Sequence, residues 1–166
     1  MPPTRPSTSE FRLALGQFAT GVTVITAERA PGRVHGMTAN SFTSVSLDPL
    51  LVLICVSEHA KLLAMVQRHK HFGVNILKEN QQAVSEYFAQ TEDIAAQENN
   101  LGIRYRWTTS GVPLLEDALA HLACTVVASY IAGDHTIFIA EVETLEIFDG
   151  EPLLYLRGDY RRLSEL

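Results

Sequence analysis

Apolar positions change their spacing several times along this chain, and each change marks an element. Phe11, Leu15 and Phe18 recur at helical spacing behind Thr8 or Ser9, either of which can cap, and Gly21 is placed to end that helix. Val22 to Ala27 is rich in β-branched residues and predicts a strand, and Pro31-Gly32 predicts a turn into a second strand near Val34. Leu50 to Val56 is apolar without interruption, the pattern of a buried strand. Leu62, Leu63 and Val66 fall on one side of a helix over residues 60–68. Phe72 to Leu77 predicts another strand. Asn80 is placed to cap a helix carrying Val84, Tyr87 and Phe88 on one face.

Residues 90–112 keep no period, and Gln, Glu and Asn dominate their first half. They predict a long loop, either a cover for a site or a surface excursion. The last third returns to strands, over residues 122–131 and 137–148, with Gly133-Asp134-His135 as the turn between them. Phe138, Ala140 and Val142 form the apolar side of the second strand, and Glu141 and Glu143 the polar side. After Thr144 the phase switches, so that Leu145 and Ile147 are apolar around Glu146, the slip that a β-bulge produces. Many strands decorated by three helices predict a mainly β fold, a closed or partly closed barrel.

Composition narrows the class. At 166 residues and 46% hydrophobic, the chain fits one domain over residues 10–166, after a Pro/Ser/Thr-rich lead over residues 1–9 expected to be disordered. The net charge of −6 comes without a basic block, which argues against nucleic acid or an anionic membrane as partner. Cys55 and Cys124 sit inside apolar runs and read as buried reduced thiols. No apolar run reaches the roughly 18–20 residues of a membrane-spanning helix, and the N-terminus lacks an apolar signal core. The cytoplasm is the expected compartment. His69-Lys70-His71 has no partner spacing for a metal site.

Candidate chemistry concentrates in residues 36–49. Met37 to Ser41 set Thr38, Asn40 and Ser41 beside one Met and Ala39. Ser44, Ser46 and Asp48 then alternate with Val45 and Leu47. On an extended chain this places short hydroxyl and amide groups on one face. Such a row suits a flat heteroaromatic ligand with a phosphate tail, whose edge needs donors and acceptors at set points. A polar strand ending in a Leu-Asp-Pro turn is the plainer alternative.

Three more stretches accompany this one in order: residues 18–26 (Phe-Ala-Thr-Gly-Val-Thr-Val-Ile-Thr), Gly133-Asp134-His135-Thr136, and Gly158-Asp159-Tyr160. Together they resemble the short-chain flavin reductase family over nearly the whole chain, from about Phe11 to Leu163. These small reductases supply reduced flavin to two-component monooxygenases. The resemblance implies an FMN-binding split barrel that pairs as a homodimer. It also implies a site that reduces FMN or FAD with NADH or NADPH as hydride donor. No Gly-x-Gly-x-x-Gly follows a strand, so the nucleotide must bind without a Rossmann domain. Hydride transfer between stacked rings asks for orientation rather than a catalytic triad.

The resemblance implies flavin contacts from Met37 to Ser41 and from Val45, Ser46 and Leu47. Lys61 stands at a helix start, where free N–H groups favour a phosphate. An ordinary solvated lysine is the alternative, but a small residue followed by Lys matches the family pattern, and Ser57 and Ala60 join it as contacts. The family motif sets His135 beside the nicotinamide as the catalytic candidate, with Asp134 as turn former. Tyr160 matches a terminal Gly-x-Tyr that touches flavin or nucleotide, with plain packing as the alternative. Asn75 is placed to reach the flavin edge or to bond backbone. Ala140 stands where the family usually has Gly, which puts the pocket's shape in question. Two other classes remain open: a pyridoxamine-phosphate-oxidase-like enzyme, and a non-enzymatic flavin- or haem-binding barrel protein.

Overall fold

The computed structural model describes residues 5–90 and 95–163. The elements run α1 (Thr8–Leu15), β1 (Thr20–Gly21), β2 (Thr23–Ala30), β3 (Arg33–Ala39), β4 (Phe42–Leu47) and β5 (Leu50–Ser57). There follow α2 (Lys61–His69), β6 (His71–Ile76), α3 (Gln82–Phe88), α4 (Ala95–Asn100), β7 (Tyr105–Trp107) and β8 (Pro113–Leu115). The chain closes with β9 (Ala120–Ala132), β10 (His135–Ile147), β11 (Leu154–Leu156) and β12 (Asp159–Arg161).

Seven strands form one sheet in the order β3-β2-β6-β9-β10-β5-β4. Its two edges, β3 and β4, are consecutive in the chain and joined only by Asn40 and Ser41. Three Cα steps span at most about 11 Å, so the edges must meet at that corner and the sheet curls into a split barrel. Side-chain and backbone bonds brace the corner: Thr23 Oγ1 donates to the Ala39 carbonyl at 2.6 Å, and Cys55 N donates to the Ser41 carbonyl at 3.2 Å.

The barrel core is built from alternate inward residues, among them Val52, Ile54 and Val56 of β5 and Phe138 and Ala140 of β10. Helix α2 adds Leu62 and Val66 to it. Strands β2 and β6 are buried along most of their length on both sides. A second cluster explains this: Val22, Val24 and Leu77 pack against Tyr87 and Phe88 of α3 and Leu115 of β8. Two glycines permit the close approach. A Cβ on Gly36 would lie 2.5 Å from the Phe88 ring, and one on Gly73 would lie 2.5 Å from the Pro113 carbonyl.

Several boundaries differ from the sequence reading. Helix α1 is capped by Ser7 in a capping box with Glu10, and it ends at Gly16 rather than Gly21. No α1 residue is buried, so its apolar stripe faces outward. Residues 1–4 of the expected lead lie outside the described residues, while Ser7 to Ser9 open the helix. Gln81, not Asn80, precedes α3, and its side chain makes no cap bond. Strand β5 alternates in burial instead of being buried throughout. Within residues 90–112, residues 91–94 lie outside the described residues. The rest holds α4 and the strand β7, which pairs with β8. The expected bulge is present: Val142 pairs with Cys124 and Thr144 with Ala123, leaving Glu143 extra. Beyond it Leu145 and Ile147 are exposed. Among the described residues, no helix is long and apolar enough to cross a membrane.

Candidate functional site

The seam between β3 and β4 is where the candidate residues gather. Asn40 is exposed at its corner. A cavity of about 420 Å³ opens beside it, lined by Phe18, Thr20, Thr23, Asn40, Phe42 and Ile76 among others. On the other side of Asn40 a smaller pocket of about 170 Å³ is lined by Thr38, Ala39, Ser85, Tyr155 and Tyr160. Tyr160 Oη lies 2.8 Å from Ser85 Oγ, and its ring meets Tyr155 edge to face. Thr38 Oγ1 donates to the Ser85 carbonyl at 2.6 Å. Ser85 therefore ties β3 to β12, a role the sequence reading missed. Its signal was a small polar residue three positions before Phe88, on the face α3 buries.

A second group meets at the far end of β5. Ser41 Oγ donates to the Cys55 carbonyl at 2.9 Å, and Ser57 Oγ accepts from His59 N at 3.3 Å. Ala60 is the N-cap of α2 and offers no side-chain cap, and the first turn holds no acid. The N–H groups at this helix start, beside Lys61, suit an anion. Ser57 pairs across the ladder with His135. The turn before His135 is tied in by Glu58 N, which donates to the Asp134 carbonyl at 3.0 Å. His135 Nδ1 lies 2.8 Å from Asp134 Oδ1. That hydrogen bond, chiefly, holds the Asp134 carboxyl below its usual range, so it stays ionised.

Not every candidate belongs here. Asn75 is fully buried, and its Nδ2 donates to the Val24 carbonyl at 2.9 Å and to Thr26 Oγ1 at 3.1 Å. Its Oδ1 accepts from Leu115 N at 2.8 Å. It is a strut between barrel and hairpin and does not reach the seam. Val45, Ser46 and Leu47 sit by the Asp48-Pro49 turn, where Ser46 pairs with Leu51. Six residues of strand separate that level from Ser57, about 20 Å. Within one chain these three therefore stand apart from Lys61 and His135. The polar row is also less open than expected. Thr38 and Ser41 donate to backbone carbonyls, Ser46 Oγ accepts from Asp48 N, and Leu47 is 87% exposed. Met37 packs half-buried against the barrel core, and Ala140 lies inside that core, away from the seam.

The arrangement offers an uncapped helix start with a lysine and, close by, a hydrogen-bonded imidazole, joined through Cys55 and Ser41 to the corner of a seam whose cavities have polar and aromatic walls. Comparison with known proteins gives a consistent picture. The family model described as flavin reductase like domain matches residues 15–164. The chain is 49% identical over 158 residues to an NADH-dependent flavin reductase of a Rhodococcus species, covering 94% of this chain and 86% of that protein. It is 42% identical over 156 residues to the reductase component of 4-hydroxyphenylacetate 3-monooxygenase from Thermus thermophilus, covering 92% and 95% respectively. Among solved structures, it is similar to the NADH:FAD oxidoreductase of Streptomyces globisporus in complex with NAD and FAD fragments. The TM-score there is 0.83 and the identity 38%, covering 93% of this chain and 92% of that one. A family match over nearly the whole length, with relatives above 40% identity, settles the assignment: the chain belongs to the flavin reductase-like domain family.

Proposed function

We propose that this protein is a flavin reductase that oxidises NADH and passes the hydride to FMN or FAD at the seam. The observation that carries the reading is the meeting, at one end of β5, of an anion-suited helix start at Ala60-Lys61 with the Asp134-His135 turn. An anionic flavin tail fits the first, and the nicotinamide half of a nucleotide fits the second. The flavin supplies an electron-accepting ring: NADH and a proton go in with it, and NAD and reduced flavin come out, two electrons having moved.

The chain's own residues then position and exclude. Lys61 adds a charge-assisted contact to the flavin phosphate. Asn40 and Ser41 present the edge of the seam to the flavin, with Met37, Thr38 and Ala39 forming the strand behind it. Tyr160, held by Ser85, walls the pocket next to Asn40. His135 contacts the nicotinamide. NADH is the donor named for the relatives from Rhodococcus and Streptomyces globisporus, and it is the one we assign here.

A monooxygenase component is the consumer of the reduced flavin, in line with the relative from Thermus thermophilus. The chain acts as a homodimer in this reading, because Val127, Tyr130 and Ile131 towards the turn end of the β9–β10 ribbon and Leu145 and Ile147 at its opposite end are exposed to solvent. The free thiols Cys55 and Cys124 fit a reducing compartment, the cytoplasm. Steady-state NADH consumption, followed at the nicotinamide band with FMN, FAD and riboflavin in turn, tests the reading. Flavin-dependent oxidation is expected. Tight flavin binding with no oxidation would leave a binding protein instead.

A further inference from the structure

We infer that Asp134 is a positioning residue that holds His135 as its Nδ1–H tautomer, so that the ring turns an Nε2 lone pair toward the nucleotide and selects a hydride donor bearing a carboxamide N–H. The inference rests on the reductase reading above and adds to it the polarity of the contact. An ionised carboxylate only accepts hydrogen bonds, so the 2.8 Å contact from Asp134 Oδ1 to His135 Nδ1 requires the proton to be on Nδ1. A neutral imidazole then has no hydrogen left on Nε2, which can only accept.

The backbone keeps this pairing in place. His135 is laddered to Ala132 on one side and to Ser57 on the other. The Asp134 carbonyl is held by Glu58 N, and Gly133 takes the left-handed φ of +65° that lets a two-residue turn carry Asp134 next to the ring. A nicotinamide carboxamide offers both a carbonyl and an NH2. A ring with Nε2–H would use the carbonyl; a ring with an Nε2 lone pair needs the NH2. The 3-acetylpyridine analogue of NADH keeps the carbonyl and replaces NH2 with methyl, so it separates the two.

The test compares NADH with that analogue at about pH 8, above the ordinary imidazole range, in wild type, Asp134→Ala, Asp134→Asn and His135→Ala. The analogue's own reduction potential affects all four proteins alike and cancels in the comparison of KM ratios. Wild type is expected to favour NADH over the analogue roughly tenfold more than His135→Ala does, the size of one hydrogen bond. Asp134→Ala should lose most of that preference, while Asp134→Asn, which keeps an acceptor oxygen, retains part of it. Melting curves confirm that each variant is folded. Nitrogen-15 spectra of the ring, taken without nucleotide, give a second readout: Nδ1 protonated in wild type and Nε2 protonated in Asp134→Ala. An Nε2-protonated ring in wild type, or equal KM ratios in all four proteins, overturns the inference. If no protein oxidises NADH at all, the reductase reading and the selection step fall together, and the spectra alone decide the tautomer.

Discussion

Asn40 and Asn75 are the same amide in two opposite situations, and the difference is depth. Asn75 is fully buried and uses its side chain in three hydrogen bonds to β2 and β8. Asn40 stands exposed at the seam corner, facing two cavities. Asn75→Leu should therefore lower unfolding free energy by roughly 2–3 kcal/mol, since it leaves the buried Leu115 N–H without its acceptor. Flavin affinity per folded molecule should hold. Asn40→Leu should do the reverse, weakening flavin binding in a fluorescence-quenching titration while the melting curve stays put. Exchanged outcomes would put the site elsewhere. Lys61→Ala should weaken FMN binding by roughly 1.5–3 kcal/mol and leave riboflavin nearly unaffected, because only FMN presents a phosphate. Equal losses for both flavins would remove Lys61 from the phosphate. The pattern around them placed both asparagines in extended chain, Asn75 within β6 and Asn40 in what proves to be the two-residue link between β3 and β4. What the pattern lacked was how far each strand lies under its neighbours, which only the assembled layers supply.

The β7–β8 hairpin is the element with the clearest pH signature. Arg106 of β7 donates from Nη2 to His121 Nδ1 at 2.9 Å and lies 2.9 Å from Glu146. His121 is 1% exposed, and burial, reinforced by the Arg106 charge, pushes its imidazole down to about 4. It is thus neutral in the fold and takes up a proton on unfolding once the pH drops below about 6.5. The unfolded chain then binds the extra proton, so stability is lost as pH falls from about 6.5 to about 4 and is fully present above that window. The difference of about 2.5 pH units corresponds to roughly 3 kcal/mol. Denaturant unfolding at a series of pH values should show this slope in wild type and a shallower one in His121→Gln; identical slopes would clear His121 of the effect. This hairpin was illegible in the sequence for a physical reason. Its strands have three residues each and α4 has six, too short for a period to register. The long strands β9 and β10, in contrast, were legible down to the bulge at Glu143, because 13 residues each give alternation room to establish itself and then break.

At the scale of the whole molecule, the barrel follows from many short strands, but its closure does not. Closure depends on β3 and β4 being the two edges of one sheet, and this strand order is invisible to local pattern. The same holds for the apolar arms of β9 and β10. Leu145 and Ile147 alternate as a core face would, yet Ile147 is 78% exposed and Ile131 is 88% exposed. The proposed second copy would account for the pattern if it packs on these exposed residues at the two ends of the β9–β10 ribbon. Sedimentation should show a dimer, and Ile131→Lys with Ile147→Lys should shift it toward monomer without unfolding it; a wild-type monomer at micromolar concentration would refute the pairing. The central claim, that NADH reduces flavin on this chain, is tested most directly by anaerobic rapid mixing of flavin-loaded protein with NADH. The account predicts that the flavin band bleaches at a rate that rises with NADH and then saturates, one flavin being reduced per NADH oxidised, with His135→Ala slower or requiring more NADH. Flavin that binds and stays oxidised in the presence of excess NADH would contradict it.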